Sequence, residues 1–126
     1  MNNNFHGCDF AELVGKRILH INGLEKQSET VTFITAANVY RMYHYAECCE
    51  AVYVEDIVGD IEDIMYSPII SAEEVINHEE DNPGYESVTW TFYKIDTIKG
   101  GITIRWCGES NGYYSESVDF EKKDFL

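Results

Sequence analysis

Residues 44–63 read HYAECCEAVYVEDIVGDIED and collect His44, Cys48, Cys49 and a dense set of carboxylates without one Lys or Arg. Four chemistries use such residues: metal binding, thiol redox, Cys–His nucleophilic catalysis and paired-carboxylate acid–base work. Structural zinc wants spaced thiolates such as C-x-x-C, which the chain lacks. Calcium loops place carboxylates at alternate positions around a glycine turn and end in a bidentate Glu; Asp56, Asp60, Glu62 and Asp63 do not keep that order. Catalytic Cys–His pairs are normally distant in sequence and need a third, orienting group, which His44 and its neighbouring cysteines do not supply. A carboxylate pair needs a defined separation that sequence does not give. His6, His20 and His78 stand alone, and the phosphate-cradling and hydrolase motifs are missing. Adjacent cysteines close a strained ring, so Cys8, Cys48, Cys49 and Cys107 read as unbonded, buried small hydrophobes.

The basic residues are the more selective signal. Nine face 23 acidic ones, for a net charge of −14. Such a surface repels duplex nucleic acid, which binds by counterion release. A small anion needs the few cations gathered in one place. Arg105 lies in an alternating run between Ile104 and Trp106, and alternation sets it on the opposite face from them, with Tyr93, Thr91, Tyr113 and Ser115 expected beside it. A guanidinium among rings and hydroxyls can hold a phosphate and stack a purine. Arg41, on a face with Tyr43 and Tyr45, is the second cation. The candidate ligand-binding set is therefore Arg105, Arg41, Tyr93, Tyr113, Trp90 and Thr91, with no catalytic residue, metal or cofactor.

These side chains need rigid elements. Residues 16–25, 29–35, 39–46 and 51–57 alternate or are rich in β-branched types, as strands are. Asp60, with Asp63 three positions on, reads as the cap of a short helix over 60–66 that Pro68 stops. Residues 71–78 (SAEEVINH) read as a second short helix capped by Ser71, with a strand as the alternative. Glu79–Gly84 is a loop by its Asn-Pro-Gly. Residues 87–97, 101–107 and 113–121 form three alternating runs joined by glycine-bearing turns, an antiparallel meander. The expectation is one α+β domain over residues 1–126: an antiparallel sheet with a C-terminal β-meander and one or two short helices. No stretch is long and apolar enough for a membrane span, and the first residues lack a signal peptide's basic and apolar segments, so a cytosolic location is expected.

One run extends these expectations. Tyr43–His44, Glu47–Cys48–Cys49–Glu50, Val52–Tyr53–Val54–Glu55–Asp56–Ile57, Gly59–Asp60 and Ser67–Pro68–Ile69 follow one another over about 35 residues. This order resembles the first-described Thoeris anti-defence proteins of phages; a Val-Gly-Lys-Arg-Ile start and a Trp-x-Gly near the end extend it loosely. The resemblance implies a compact α+β homodimer or higher homo-oligomer in the cytoplasm of an infected bacterial host. It also implies a non-enzymatic sponge that sequesters a cyclic ADP-ribose signal made from NAD; some such proteins also capture cyclic oligonucleotides. The Cys-Cys-Glu and Glu-Asp-Ile signature occurs more widely, so it bears on fold more than on ligand. Two other classes compete. One is an enzyme hydrolysing such a nucleotide through paired carboxylates. The other is an acidic protein that inhibits a host protein by direct binding.

Overall fold

The protein is described by a computed structural model covering residues 4–79 and 87–125. Among these residues, nine strands form two antiparallel sheets. The first contains β1 (His6–Gly7), β2 (His20–Asn22), β3 (Thr30–Ile34), β4 (Asn38–Tyr43) and β9 (Asp119–Asp124), in the order β1-β9-β4-β3-β2. The second contains β5 (Ala51–Gly59), β6 (Ser71–Glu79), β7 (Ser87–Thr97) and β8 (Gly100–Ser110), in the order β5-β8-β7-β6.

Alternation builds the core. Val31 and Phe33 of β3 stand opposite Met42 and Tyr40 of β4, and all four are buried. Tyr93 and Ile95 of β7 stand opposite Ile104 and Ile102 of β8, while Thr91 stands opposite the buried Trp106. One apolar cluster draws on both sheets. Phe10 joins them, its ring 4.6 Å from that of Tyr93 and 5.0 Å from that of Phe120. Burial of this apolar area is the main stabilising term.

The expected α+β class is overturned. No α-helix occurs among the described residues, and the fold is mostly β. Asp60 does cap, its carboxylate accepting from the Glu62 amide at 3.0 Å, but what it caps is the single 3₁₀ turn Ile61–Ile64. Residues 71–79 are not a helix. Their whole length pairs with β7, from Ser71 opposite Asp96 to Glu79 opposite Val88. That ladder outweighs the helical propensity of Ala-Glu-Glu. The expected third meander strand at 113–121 is also wrong. Its first part is a loop, and the strand that follows, β9, leaves for the other sheet and pairs with β4 and β1. The meander is β6-β7-β8 instead. Beyond Glu79, the expected loop Glu79–Gly84 lies outside the described residues. No helix among the described residues is long and apolar enough to cross a membrane.

Two details of β5 matter for the site. Its register against β8 shifts between Val54 and Asp56, so Glu55 is the extra residue of a bulge. Its free edge is occupied by the 25–28 turn, with the Gln27 amide on the Val54 carbonyl at 2.7 Å and the Val54 amide on the Ser28 carbonyl at 2.8 Å. At its end, Gly59 holds φ +112°, and a Cβ there would lie 2.4 Å from the Gly101 carbonyl oxygen.

Candidate functional site

Arg105 stands on β8 between the fully buried Ile104 and Trp106, which fix its backbone. Its side chain projects from the outer face of the second sheet, opposite Phe92 of β7 and Asp56 of β5. The guanidinium carbon lies 5.5 Å from the ring centre of Trp90, within cation–π range. Nε donates to Glu55 Oε1 at 2.7 Å, and Nη2 lies 2.5 Å from the same oxygen. Asp56 stands 3.7 Å from Nη2, and Lys26 Nζ stands 3.7 Å from the other Asp56 oxygen. The bulge explains this crowding. An inserted residue sets two consecutive side chains against one partner, so Glu55 and Asp56 both meet Arg105. The Arg105 side chain is 39% exposed, so the pair is a solvated one that contributes about 0–1 kcal/mol and exchanges readily for another anion.

The neighbour the structure gives Arg105 is Trp90, a member of the candidate set that was not expected beside it, and two of the expected neighbours are turned away. Thr91 and Tyr93 point from β7 into the core, because their cross-strand partners are Trp106 and Ile104. The Tyr93 hydroxyl donates to Glu74 at 2.8 Å, and burial pushes its pKa far up, so it stays neutral. Tyr113, 81% exposed, lies on the loop after β8 with its ring edge-on to Tyr114. Ser115, on the same loop, shares a hydrogen bond with Ser117.

Arg41 belongs to the first sheet. It shares a face with Tyr43 and Tyr45, as the alternation of β4 predicts, but its guanidinium is committed. Nε and Nη2 donate to Glu121 Oε1 at 3.0 and 2.8 Å, and Nη2 also reaches the Tyr45 hydroxyl. The rings of Phe5 and Tyr43 lie 4.0 and 4.8 Å from it. With its side chain only 16% exposed, it ties β4 to β9 and has little room for a ligand.

The run 44–63 resolves into a turn, a strand and a cap. Cys48 and Cys49 are exposed and joined in a vicinal disulfide, which corrects their expected burial and unbonded state. Cys107 is buried and Cys8 half-buried, both as free thiols. Glu50 closes the turn. It accepts from His44 Nε2 at 2.7 Å and from the amides of Glu47 and Cys48 at 2.8 and 3.0 Å, which hold its pKa down at about 2. His44 Nδ1 meets the Ser117 carbonyl, so both ring nitrogens are engaged in structure. Among the described residues, no group of three His, Cys, Asp or Glu side chains is arranged to hold a metal.

A second polar cluster is internal. The buried Glu116 accepts from the hydroxyls of Thr89 at 2.7 Å, Ser87 at 3.2 Å and Ser110, with His78 Nδ1 3.9 Å away. It docks the 111–118 loop onto the sheet. Gly108 permits the approach, since a Cβ there would lie 2.4 Å from the Glu116 carbonyl oxygen. In sequence, Glu116 sits on the inward side of an alternating run, and no spacing rule marks it as a buried anchor. Lys26 and the bulged Glu55 were likewise missed as neighbours of Arg105; only Glu55–Asp56, as an acidic pair inside a strand, carried a signal.

A family model described as a domain of unknown function (DUF7448) matches residues 11–120. No curated protein and no solved structure matches the chain.

Proposed function

Because the chain belongs to the DUF7448 family of unknown function, its own residues must carry a functional assignment, and we propose that it is a non-enzymatic sponge for a cyclic ADP-ribose nucleotide. Such a sponge would act in the cytoplasm of a phage-infected bacterium as a homodimer or higher homo-oligomer. The observation that carries the proposal is the Arg105–Trp90 pair on rigid neighbouring strands, with Lys26 close by. A diphosphate would take the place of Glu55 on the guanidinium, and a purine would stack over the half-buried Trp90 and Phe92. The Cys-Cys-Glu to Ser-Pro-Ile signature supports the same assignment by resemblance. Sequestration needs affinity without turnover, and among the described residues no nucleophile–base pair flanks Arg105.

The test is calorimetry with cyclic ADP-ribose isomers, followed by denaturation and chromatography of the released ligand. Intact ligand is expected; hydrolysis products would replace the sponge with the carboxylate enzyme. Arg105→Ala should weaken binding about tenfold or more, and Arg105→Lys should restore only part of it. Glu55→Gln should tighten binding, because it removes the competing anion. If no isomer binds, or if Arg105→Ala binds as tightly as the parent, the assignment fails.

A further inference from the structure

The edges of the two sheets are not treated alike. The outer edge of β5 is bulged and capped by the 25–28 turn. β1 and β2, at the edges of the first sheet, have two and three residues. β6 has nine residues, its register with β7 never slips, and among the described strands it has no other neighbour. His78 aside, no backbone hydrogen bond among the described residues reaches its outer edge. Natural edges are usually blunted by charged side chains, Pro, a bulge, shortness or a covering element. SAEEVINHE has no Lys, Pro or bulge; its guard is acidic, Glu73, Glu74 and Glu79, and the 3₁₀ turn Phe10–Leu13 lies close to part of the strand. Its middle presents one apolar side chain on each face, Val75 at 37% and Ile76 at 58% exposure.

We propose that β6 is a strand-addition site for an extended, basic-flanked segment of another protein. Main-chain groups along the open edge would supply the ladder, and the side chains would select the partner. On the outer face β6 offers Glu73, Val75, Asn77 and Glu79 in turn. Glu73 already faces Lys94 of β7 on its inner side. A matching strand therefore reads cation, apolar, polar, cation at alternate positions. Charge chooses this occupant over a second copy of the chain. Two copies would bring two sets of Glu73, Glu74 and Glu79 together, on bodies that each carry −14. From Met42 to Tyr93 the chain holds thirteen acidic residues and no Lys or Arg, so a basic segment meets no repulsion from this stretch of the chain. The site does not depend on Arg105 or on nucleotide binding.

The probe is a capped nine-residue peptide of threonines with Lys at its second and eighth positions and Ile at its fourth. Hydrogen exchange is followed at residues 71–79 of the intact protein. Alternate amides should slow by about tenfold or more on saturation, and binding should weaken as salt rises. The same peptide with Glu in place of Lys should not bind. Val75→Lys, an exposed change that leaves the core intact, should abolish binding of the Lys peptide. Unchanged exchange at 71–79, or equal binding of the Glu peptide, overturns the proposal. So does protection that rises with protein concentration alone, which would assign the edge to a second copy.

Discussion

Replacing Glu116 by Ala tests whether a buried carboxylate, rather than apolar contact, holds the 111–118 loop. Three hydroxyls donate to it, and hydrogen bonds to a charged group are worth about 1.5–3 kcal/mol each. The gross loss is therefore at least about 4.5 kcal/mol. Two donors have a fallback, because Thr89 Oγ1 lies 2.7 Å from His78 Nδ1 and Ser110 Oγ lies 3.3 Å from the Tyr114 carbonyl. Removing a desolvated charge returns some of the rest. The net expectation is a loss of about 2 kcal/mol, with the 111–118 amides exchanging faster than the rest of the sheet. Glu116→Gln keeps the oxygen that serves Thr89 and Ser87 and should cost about half as much. Urea unfolding followed by Trp90 and Trp106 fluorescence reads the first quantity, and hydrogen exchange reads the second. If Glu116→Ala stays within about 0.5 kcal/mol of the parent with no local change in exchange, the cage does not anchor the loop.

Other perturbations probe separate features. Glu50 is held at about 2, below its ordinary 4.5, first by His44 and then by the Glu47 and Cys48 amides. A depressed carboxylate stabilises the fold above its unfolded pKa and ceases to as pH falls through the folded one. The urea midpoint should therefore drop between about pH 4.5 and 2, and Glu50→Gln should flatten that drop; an unchanged slope would remove Glu50 from the linkage. Gly59→Ala combines a positive φ with a clash against the Gly101 carbonyl and should cost about 2–4 kcal/mol; a neutral result in thermal unfolding would contradict the backbone at that point. Burial pushes the Cys8 thiol up to about 11 and raises that of Cys107, so neither should react with iodoacetamide at neutral pH in the folded protein. Rapid native alkylation, read by mass spectrometry, would refute that.

The strands that carry the site were legible because pairing and pattern agree there. Residues 87–97 are β7 as expected, and Ile102, Ile104 and Trp106 do face the core. The orientation of β7 was not legible. Each face mixes apolar and polar residues, Val88, Trp90 and Phe92 with Lys94 and Asp96 on one, Tyr93 and Ile95 with Thr89 and Thr91 on the other. Only the register against Ile104 and Trp106 decides which is buried. That is why Trp90 belongs beside Arg105 and Tyr93 does not. Residues 71–79 misled for a related reason. An edge strand is exposed on both faces, so it carries no period-two signal, and Ser71 before Ala-Glu-Glu mimics a helix start. At 113–118 alternation marked the inward positions but not the backbone: Glu116 and Val118 are buried and Tyr113, Ser115 and Ser117 exposed, yet the segment is a loop held by a carboxylate rather than a strand. The acidic pair Glu55–Asp56 inside a strand was the one local mark of the bulge, and it does not name Arg105, 50 residues away in sequence, as the partner.

The order β1-β9-β4-β3-β2 has a consequence for synthesis. β9, the last made of the described strands, lies inside the first sheet, where His6 pairs with Lys122 and Tyr40 with the same lysine from the other side. Until β9 emerges, β4 shows a bare edge and Phe10 lacks one of its two aromatic partners. Completion of this sheet therefore waits for β9, and closing the loop from β4 to β9 makes it slow. A nascent chain stalled before Asp119 should be open to protease in its first forty residues, although β5 to β8 have already been made.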